Sequence, residues 1–419
     1  MKRISTTIAI LAIAAFGLQA QDKTYFVSPE GNDNADGLSV TNAWKSIDKV
    51  NASVFQAGDR VLFEGGATFY GNLVIKSSGS PEKPIVFSGY GQGRPVINMG
   101  KEEGTAITIL NSDGLEIVGF EITSGFPPEV GVGRNGILID EREPGRAFSH
   151  IVIKDNYIHD IWGQMGGTRL RCAAISGGVM RPWRGFTVSQ NASTLEDVLI
   201  EGNRIERVDK VGITTTGIDK LRVRRNYMDN LGGDGIIVSS SFRAVVEFNE
   251  IHRSCMRSGL LDLPGDNGWA EKGEGWWPHT AACWIIGCEE TIMQFNEVYD
   301  TGRQIRNGDG FAYDFDFYCK RCIAQYNYSK ENHGFLLMMY DIFENVARYN
   351  ISENDKTHLV QMQGSLKSDN NVLYNNVFYV DHGVSEVEYF RGDHPEKAKD
   401  INDLGAHFYN NIFYATGQG

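Results

Sequence analysis

The chain has 419 residues, 41% of them hydrophobic and 22% charged, and a formal net charge of −13. An acidic surface repels a phosphate backbone, so nucleic acid is excluded as a natural partner. A chain of this length buries a core without disulfide staples.

Residues 1–20, MKRISTTIAILAIAAFGLQA, begin with Lys2 and Arg3, continue through the apolar run 8–18 and end on Ala20. This predicts a cleavable export signal rather than a membrane span, because the apolar run is too short for a bilayer. No cysteine follows the cleavage point, which argues against a lipid anchor. The expected mature protein, residues 21–419, is a single periplasmic or secreted domain, two charge units more negative than the precursor. Next in the chain, AWKSIDKVNASVF (43–55) predicts an amphipathic helix with Trp44, Ile47 and Val50 on one face.

From residue 150 onward a phrase of alternating apolar residues ending in asparagine recurs. It reads IVIKDNYI at Asn156, VLIEGNRI at Asn203, LRVRRNYM at Asn226, VVEFNEI at Asn249 and TIMQFNEV at Asn296. It continues as CIAQYNYS at Asn327, VARYNIS at Asn350, VLYNNVF at Asn376 and HFYNNIF at Asn411. Three spacings are 23 residues, and no long helical pattern intervenes. Short strands at a constant period predict a solenoid. Each period also holds a strand opened by glycine, such as GIIVSSS (235–241), GFAYDFD (310–316) or GFLLMMY (334–340). The repeated asparagine is expected to be structural, taking the left-handed bend between strands and bonding to its copies along the axis.

These repeats resemble the right-handed parallel β-helix superfamily of exported bacterial carbohydrate-active enzymes, the pectate-lyase and polygalacturonase-like group. The opening stretch YFVSPEGNDNADGLSVTNAWKSIDKV is similar to that of many bacterial members. The resemblance implies an all-β solenoid of about ten coils with an N-terminal helical cap and loop insertions on one face. It covers the mature chain but does not settle the reaction, since one scaffold carries many chemistries. The polygalacturonase segments Asn-Thr-Asp, Gly-Asp-Asp and Arg-Ile-Lys are missing in order, as is the Trp-Ile-Asp-His segment of pectate lyases. Catalytic residues must therefore be argued from position.

Interrupted periods indicate the decorated side. Asn156 to Asn203 and Asn249 to Asn296 each span 47 residues, and Asn296 to Asn327 spans 31. The surplus lies around the Gly-led strands, where long insertions on a solenoid build a binding face. These segments carry Arg169, Arg171, Arg181, Arg184, Arg253, Arg257, Arg303 and Arg306. Guanidinium forks suit the carboxylate or sulfate groups of an acidic glycan, with Arg184, Arg303 and Arg306 the chosen contacts. Solvated pairing with nearby acids is the plainer alternative. The insertion LPGDNGWAEKGEGWWPHT adds Trp269, Trp276 and Trp277, whose flat faces suit sugar rings, unless they merely pin the loop.

The Gly-led strand GFAYDFD holds two acids. Aligning Phe311, Tyr313 and Phe315 with Ile236, Val238 and Ser240, and with Phe335, Leu337 and Met339, turns Ala312, Asp314 and Asp316 outward. Carboxylates at i and i+2 stand roughly 7 Å apart, which suits an inverting glycosidase, one acid protonating the leaving oxygen while the other activates water. The catalytic candidates are Asp314, Asp316 and His333, with Asp341, Glu344 and His279 secondary. No cofactor is required; a calcium ion held by Asp309 with the two acids is the rival role, and a solvated strand face the plain one.

The expected function is an exported glycoside hydrolase acting on a polysaccharide or oligosaccharide. The alternatives are a polysaccharide lyase using Lys272, Arg306 or Lys320 as base, and a non-catalytic glycan-binding rod. Cys319 and Cys322 have the spacing of half a zinc site without a second half; the six cysteines of an exported chain could pair in 15 ways, but free thiols buried between coils are the expected state, because a chain this long needs no staples. After Asn411 the chain stops part-way through a period, which predicts exposed strand edges.

Overall fold

The computed structural model describes residues 21–100, 104–125, 133–163, 172–179, 193–256, 280–302, 310–363, 368–381 and 406–416, and the backbone of 386–390. Nearly every element is a short parallel strand, and the strands stack into three sheets of 14, 11 and 12. One coil shows the plan. Ile323–Gln325 lies in the first sheet, Tyr328–Lys330 in the second and the Gly-led Gly334–Met338 in the third, before Val346–Arg348 returns to the first one level up. Coils without the asparagine phrase extend the stack toward the N-terminus, starting with Thr24–Val27 against Arg60–Glu64.

The repeated asparagines occupy the bend between the first and second sheets and are buried. Asn226 donates its backbone N–H and its side-chain Nδ2–H to Asn249 Oδ1, at 3.1 and 2.9 Å. A further Nδ2–H goes to the Ile200 carbonyl at 3.0 Å. The same pattern runs from Asn156 to Asn411, so each desolvated amide is satisfied by its neighbours.

The left-handed residue is not the asparagine, contrary to expectation, but the one before it. Asp155, Arg225, Phe248, Phe295, Tyr326 and Tyr349 have φ between 53° and 56°. The asparagine must keep its own backbone regular so that its side chain can reach the next copy along the axis. For a bulky residue the left-handed conformation costs on the order of 1–3 kcal/mol. Phe248, Phe295, Tyr326 and Tyr349 offset this by stacking as consecutive parallel rings, with centroids 5.0, 5.2 and 5.2 Å apart.

Inward side chains of all three sheets form one continuous core from Val27 to Val380. At its N-terminal end the expected long helix is reduced to Ile47–Asn51. Ser46 caps it by accepting from the Lys49 N–H, and Asn51 ends it by turning its amide to the Asn72 carbonyl and the Val74 N–H. Trp44 stays outside the helix and bridges Val27 as a strand would, its ring stacked on Tyr25 at 4.8 Å. Trp44, Ile47, Val50 and Phe55 are nonetheless buried together.

All six cysteines are free and buried. Cys319 and Cys322 direct their thiols to the Ile285 and Cys288 carbonyls, and among the described residues no group of three or more His, Cys, Asp or Glu could hold a metal. The strands Ala406–Tyr409 and Ile412–Ala415 are the outermost of their sheets, with Ile412, Phe413 and Tyr414 exposed. No described helix is long and apolar enough to cross a membrane.

Candidate active site

The insertions leave and rejoin the fold beside the third sheet. The described chain stops at 163 and resumes at Cys172–Gly178, stops at 256 and resumes before Cys283–Ile286, and stops at 302 and resumes before Phe311–Phe315. Trp269, Trp276, Trp277, Arg184, Arg303, Arg306, Asp309, His279 and Lys272 lie outside the described residues, as do Arg169, Arg171, Arg181, Arg257 and the segment 1–20.

In the third sheet Asp314 pairs in register with Trp284 on one side and Leu337 on the other. Its neighbours Tyr313 and Phe315 enter the core, and the Tyr313 hydroxyl lies 2.9 Å from both the Asn296 and Tyr328 carbonyls. Trp284 and Leu337 belong to a separate apolar cluster with Ala281, Phe311 and Met339. Strand alternation places Asp314 on that outward side, at 5% exposure. Asp316, just past the strand, is half-buried; its N–H donates to the Ile285 carbonyl and its Oδ1 accepts from the Phe317 N–H at 2.7 Å.

The register differs from the expected one. Phe311 pairs with Gly334 rather than Phe335, and Tyr313 pairs with Leu336 and with Cys283, itself the partner of Ile236. Phe311 joins the outward cluster, whereas Ala312 belongs to the core. Close packing explains the slip, because a Cβ on Gly334 would lie 2.3 Å from Phe311 Cε1. The glycine that opens the strand is the space occupied by the ring from the coil before it. A one-residue slip exchanges faces, so Leu337, expected inward, points outward.

His333 stands at the mouth of this face, 5% exposed, its ring centroid 6.2 Å from that of Phe311. Its N–H donates to Thr301 Oγ1, and Nδ1 is 2.9 Å from Thr357 Oγ1. The other described candidates are elsewhere. Lys320, Asp341 and Glu344 sit past the far end of the third sheet, with Glu344 exposed and paired with Arg321. Arg253 pairs with Asp229 at the second sheet, which is the plain structural role.

The structure adds Asp234 and the indole it holds, Trp284, to this face. Asp234, in the bend before Ile236–Ser239, is 2% exposed, and its Oδ1 accepts from Trp284 Nε1–H at 2.8 Å and from the Ala281 N–H at 3.2 Å. Burial pushes its carboxyl up to about 7, opposed by the indole hydrogen bond and the Lys210 charge. The signal in the sequence is Gly-Gly-Asp-Gly at 232–235, a carboxylate among glycines ahead of a Gly-led strand.

Residues 96–268 match the family model described as right handed beta helix region. The fold is a right-handed parallel β-helix. This β-helix is 27% identical, over 85% of its length, to the lacto-N-biosidase of Bifidobacterium longum subsp. longum, and spans 27% of that relative's length. The GH136 lacto-N-biosidase from Eubacterium ramulus superposes with a TM-score of 0.73 at 22% identity, covering 94% of this chain and 68% of that one. XylC in complex with xylose gives a TM-score of 0.51 at 11% identity, covering 94% of this chain and 75% of the other. These two structural likenesses establish the architecture alone.

Proposed function

We propose that the β-helix is an exported glycoside hydrolase that cleaves a complex glycan of the lacto-N-biosidase type on the outward face of the third sheet. The observation that carries this reading is the 27% identity to a lacto-N-biosidase over 85% of the chain. The face has the chemistry to match, with Asp314 in the strand between its register partners Trp284 and Leu337, and Asp316 just past the strand's end. One carboxylic acid protonates the departing glycosidic oxygen while the other carboxylate takes a proton from a water that attacks the anomeric carbon as the glycosidic bond breaks. His333 is the secondary group for proton transfer. Trp269, Trp276, Trp277, Arg184, Arg303 and Arg306 are proposed to hold the substrate from the insertions, and Asp309 to contribute to a calcium site if one forms. Export rests on residues 1–20.

The test is digestion of an aryl β-lacto-N-bioside and a panel of neutral and acidic glycans by the full chain. Release of reducing ends without an ultraviolet-absorbing product is expected. An unsaturated uronate product would make the protein a lyase, and glycan binding without turnover would make it a binding rod; either overturns the proposal.

A further inference from the structure

Four consecutive strands of the third sheet, Val211–Thr216, Ile236–Ser239, Cys283–Ile286 and Phe311–Phe315, bring a cation, an acid, an indole and a second acid to one region. Lys210 precedes the first of them and is 4% exposed, and its carbonyl accepts from the Gly233 N–H at 2.8 Å. Asp234 leads into the second and holds the Trp284 indole of the third. Trp284 is the register partner of Asp314 on the fourth.

The column to which Trp284 belongs shows why this arrangement is more than packing. Ile237 before it and Leu337 beyond Asp314 cover the same face with aliphatic side chains that need no polar partner. Trp284 alone of these three is tied to a desolvated carboxylate, which burial makes costly to keep ionised. An aliphatic residue would fill the space without that cost. A half-buried indole whose nitrogen is fixed leaves an apolar ring surface at a set angle, which is what the C–H face of a sugar requires.

We propose that Trp284 is a stacking platform for a pyranose ring of the substrate beside Asp314, and that Asp234, backed by Lys210, is the positioning residue that fixes the indole. The inference rests on the hydrolase reading of this face. The charge that reaches Asp234 from the preceding coil is Lys210, while Asp209 beside it turns Oδ2 to the Gly163 amide at 2.8 Å. Ionised, Asp234 holds the indole by a charge-assisted bond; protonated, it holds it by a weaker neutral one. Its ordinary range is left behind through burial, with a value of about 7.

The experiment compares Trp284→Phe, Asp234→Asn and Asp234→Leu in the full chain by KM, kcat and tryptophan fluorescence. Trp284→Phe should raise KM about five- to tenfold with kcat within about twofold, the range of a lost aromatic stack. Asp234→Leu should do the same, and the double variant should be no worse than either single one. Asp234→Asn keeps an acceptor without the charge, so KM should rise only about two- to threefold. The fluorescence difference between the unmutated protein and Trp284→Phe should titrate with a midpoint near 7, and Asp234→Asn should abolish that titration. Quenching by free lacto-N-biose should vanish in Trp284→Phe, a readout that needs no turnover. Unchanged KM and quenching in Trp284→Phe, or a fluorescence titration that survives Asp234→Asn, overturns the inference. Absence of turnover on every glycan with quenching intact overturns the hydrolase reading and leaves the platform standing.

Discussion

At the bend between the first and second sheets one side chain recurs from Asn156 to Asn411, and each copy is satisfied by the next. On the outward face of the third sheet the column reads Ile237, Trp284, Asp314, Leu337 and Gln361, no two alike. Both sets belong to the same coils and differ in what their neighbours demand. A stacked amide sees an identical amide above and below, so repetition satisfies it. A binding face meets a substrate that does not share the period of the coils, so it has to break the repeat. Where the pattern is regular it holds the rod together, and where it fails the chemistry is to be sought.

The comparison breaks most visibly if a ladder asparagine is removed. Asn249→Ala strands the Asn226 N–H, one Nδ2–H of Asn226 and the Val223 carbonyl, all bonded to Asn249 in the intact protein. Each orphaned buried group costs about 1–3 kcal/mol, so urea unfolding should show a loss of about 3–5 kcal/mol. Turnover per folded molecule should be unchanged; a stability loss below about 1 kcal/mol would remove the ladder from the account.

Replacing the acids should do the reverse. Asp314→Asn and Asp316→Asn keep shape and hydrogen-bonding capacity but remove titration, so kcat should fall about a hundredfold or more, about 2.7 kcal/mol in the barrier. Thermal unfolding should change little. If the two acids hold calcium instead, chelator should lower the melting temperature of the unmutated protein, and both variants should lose that response.

A smaller effect sits at the boundary between the regions. Tyr313→Phe removes a hydroxyl bonded to the Asn296 and Tyr328 carbonyls, and should cost about 1–2 kcal/mol in denaturant unfolding without altering KM. A kinetic effect larger than the stability effect would mean that the inward and outward faces of this strand are not independent.

A further effect is in pH dependence. The Asp234 carboxyl is raised from 3.8 to about 7 on folding, so the folded state binds its proton more tightly. Its contribution is fully present below 3.8 and is lost as pH rises through about 7. Asp234→Asn should therefore flatten the decline in melting temperature between those values; an identical decline in the variant would show that Asp234 is not the titrating group.

The amino-acid sequence by itself determined the solenoid. A recurring Asn phrase, three times at a spacing of 23 residues and elsewhere stretched by insertions, points to stacked coils, and a buried asparagine in each coil has its own copy as its natural partner. Tyr313 and Phe315 enter the core as the sequence pattern expects, whereas Phe311 and Ala312 exchange the faces expected of them. Tertiary structure decided the register, because Phe311 lies over Gly334 and no periodicity records which ring fills which gap. It decided that the left-handed residue precedes the asparagine, since that depends on which backbone the axial amide chain leaves free to bend. It also decided the tie between Asp234 and Trp284, which are 50 residues apart with an insertion between them. Local pattern carries what neighbours along the chain impose, whereas contacts between coils depend on how far each insertion displaces the chain before it rejoins the stack.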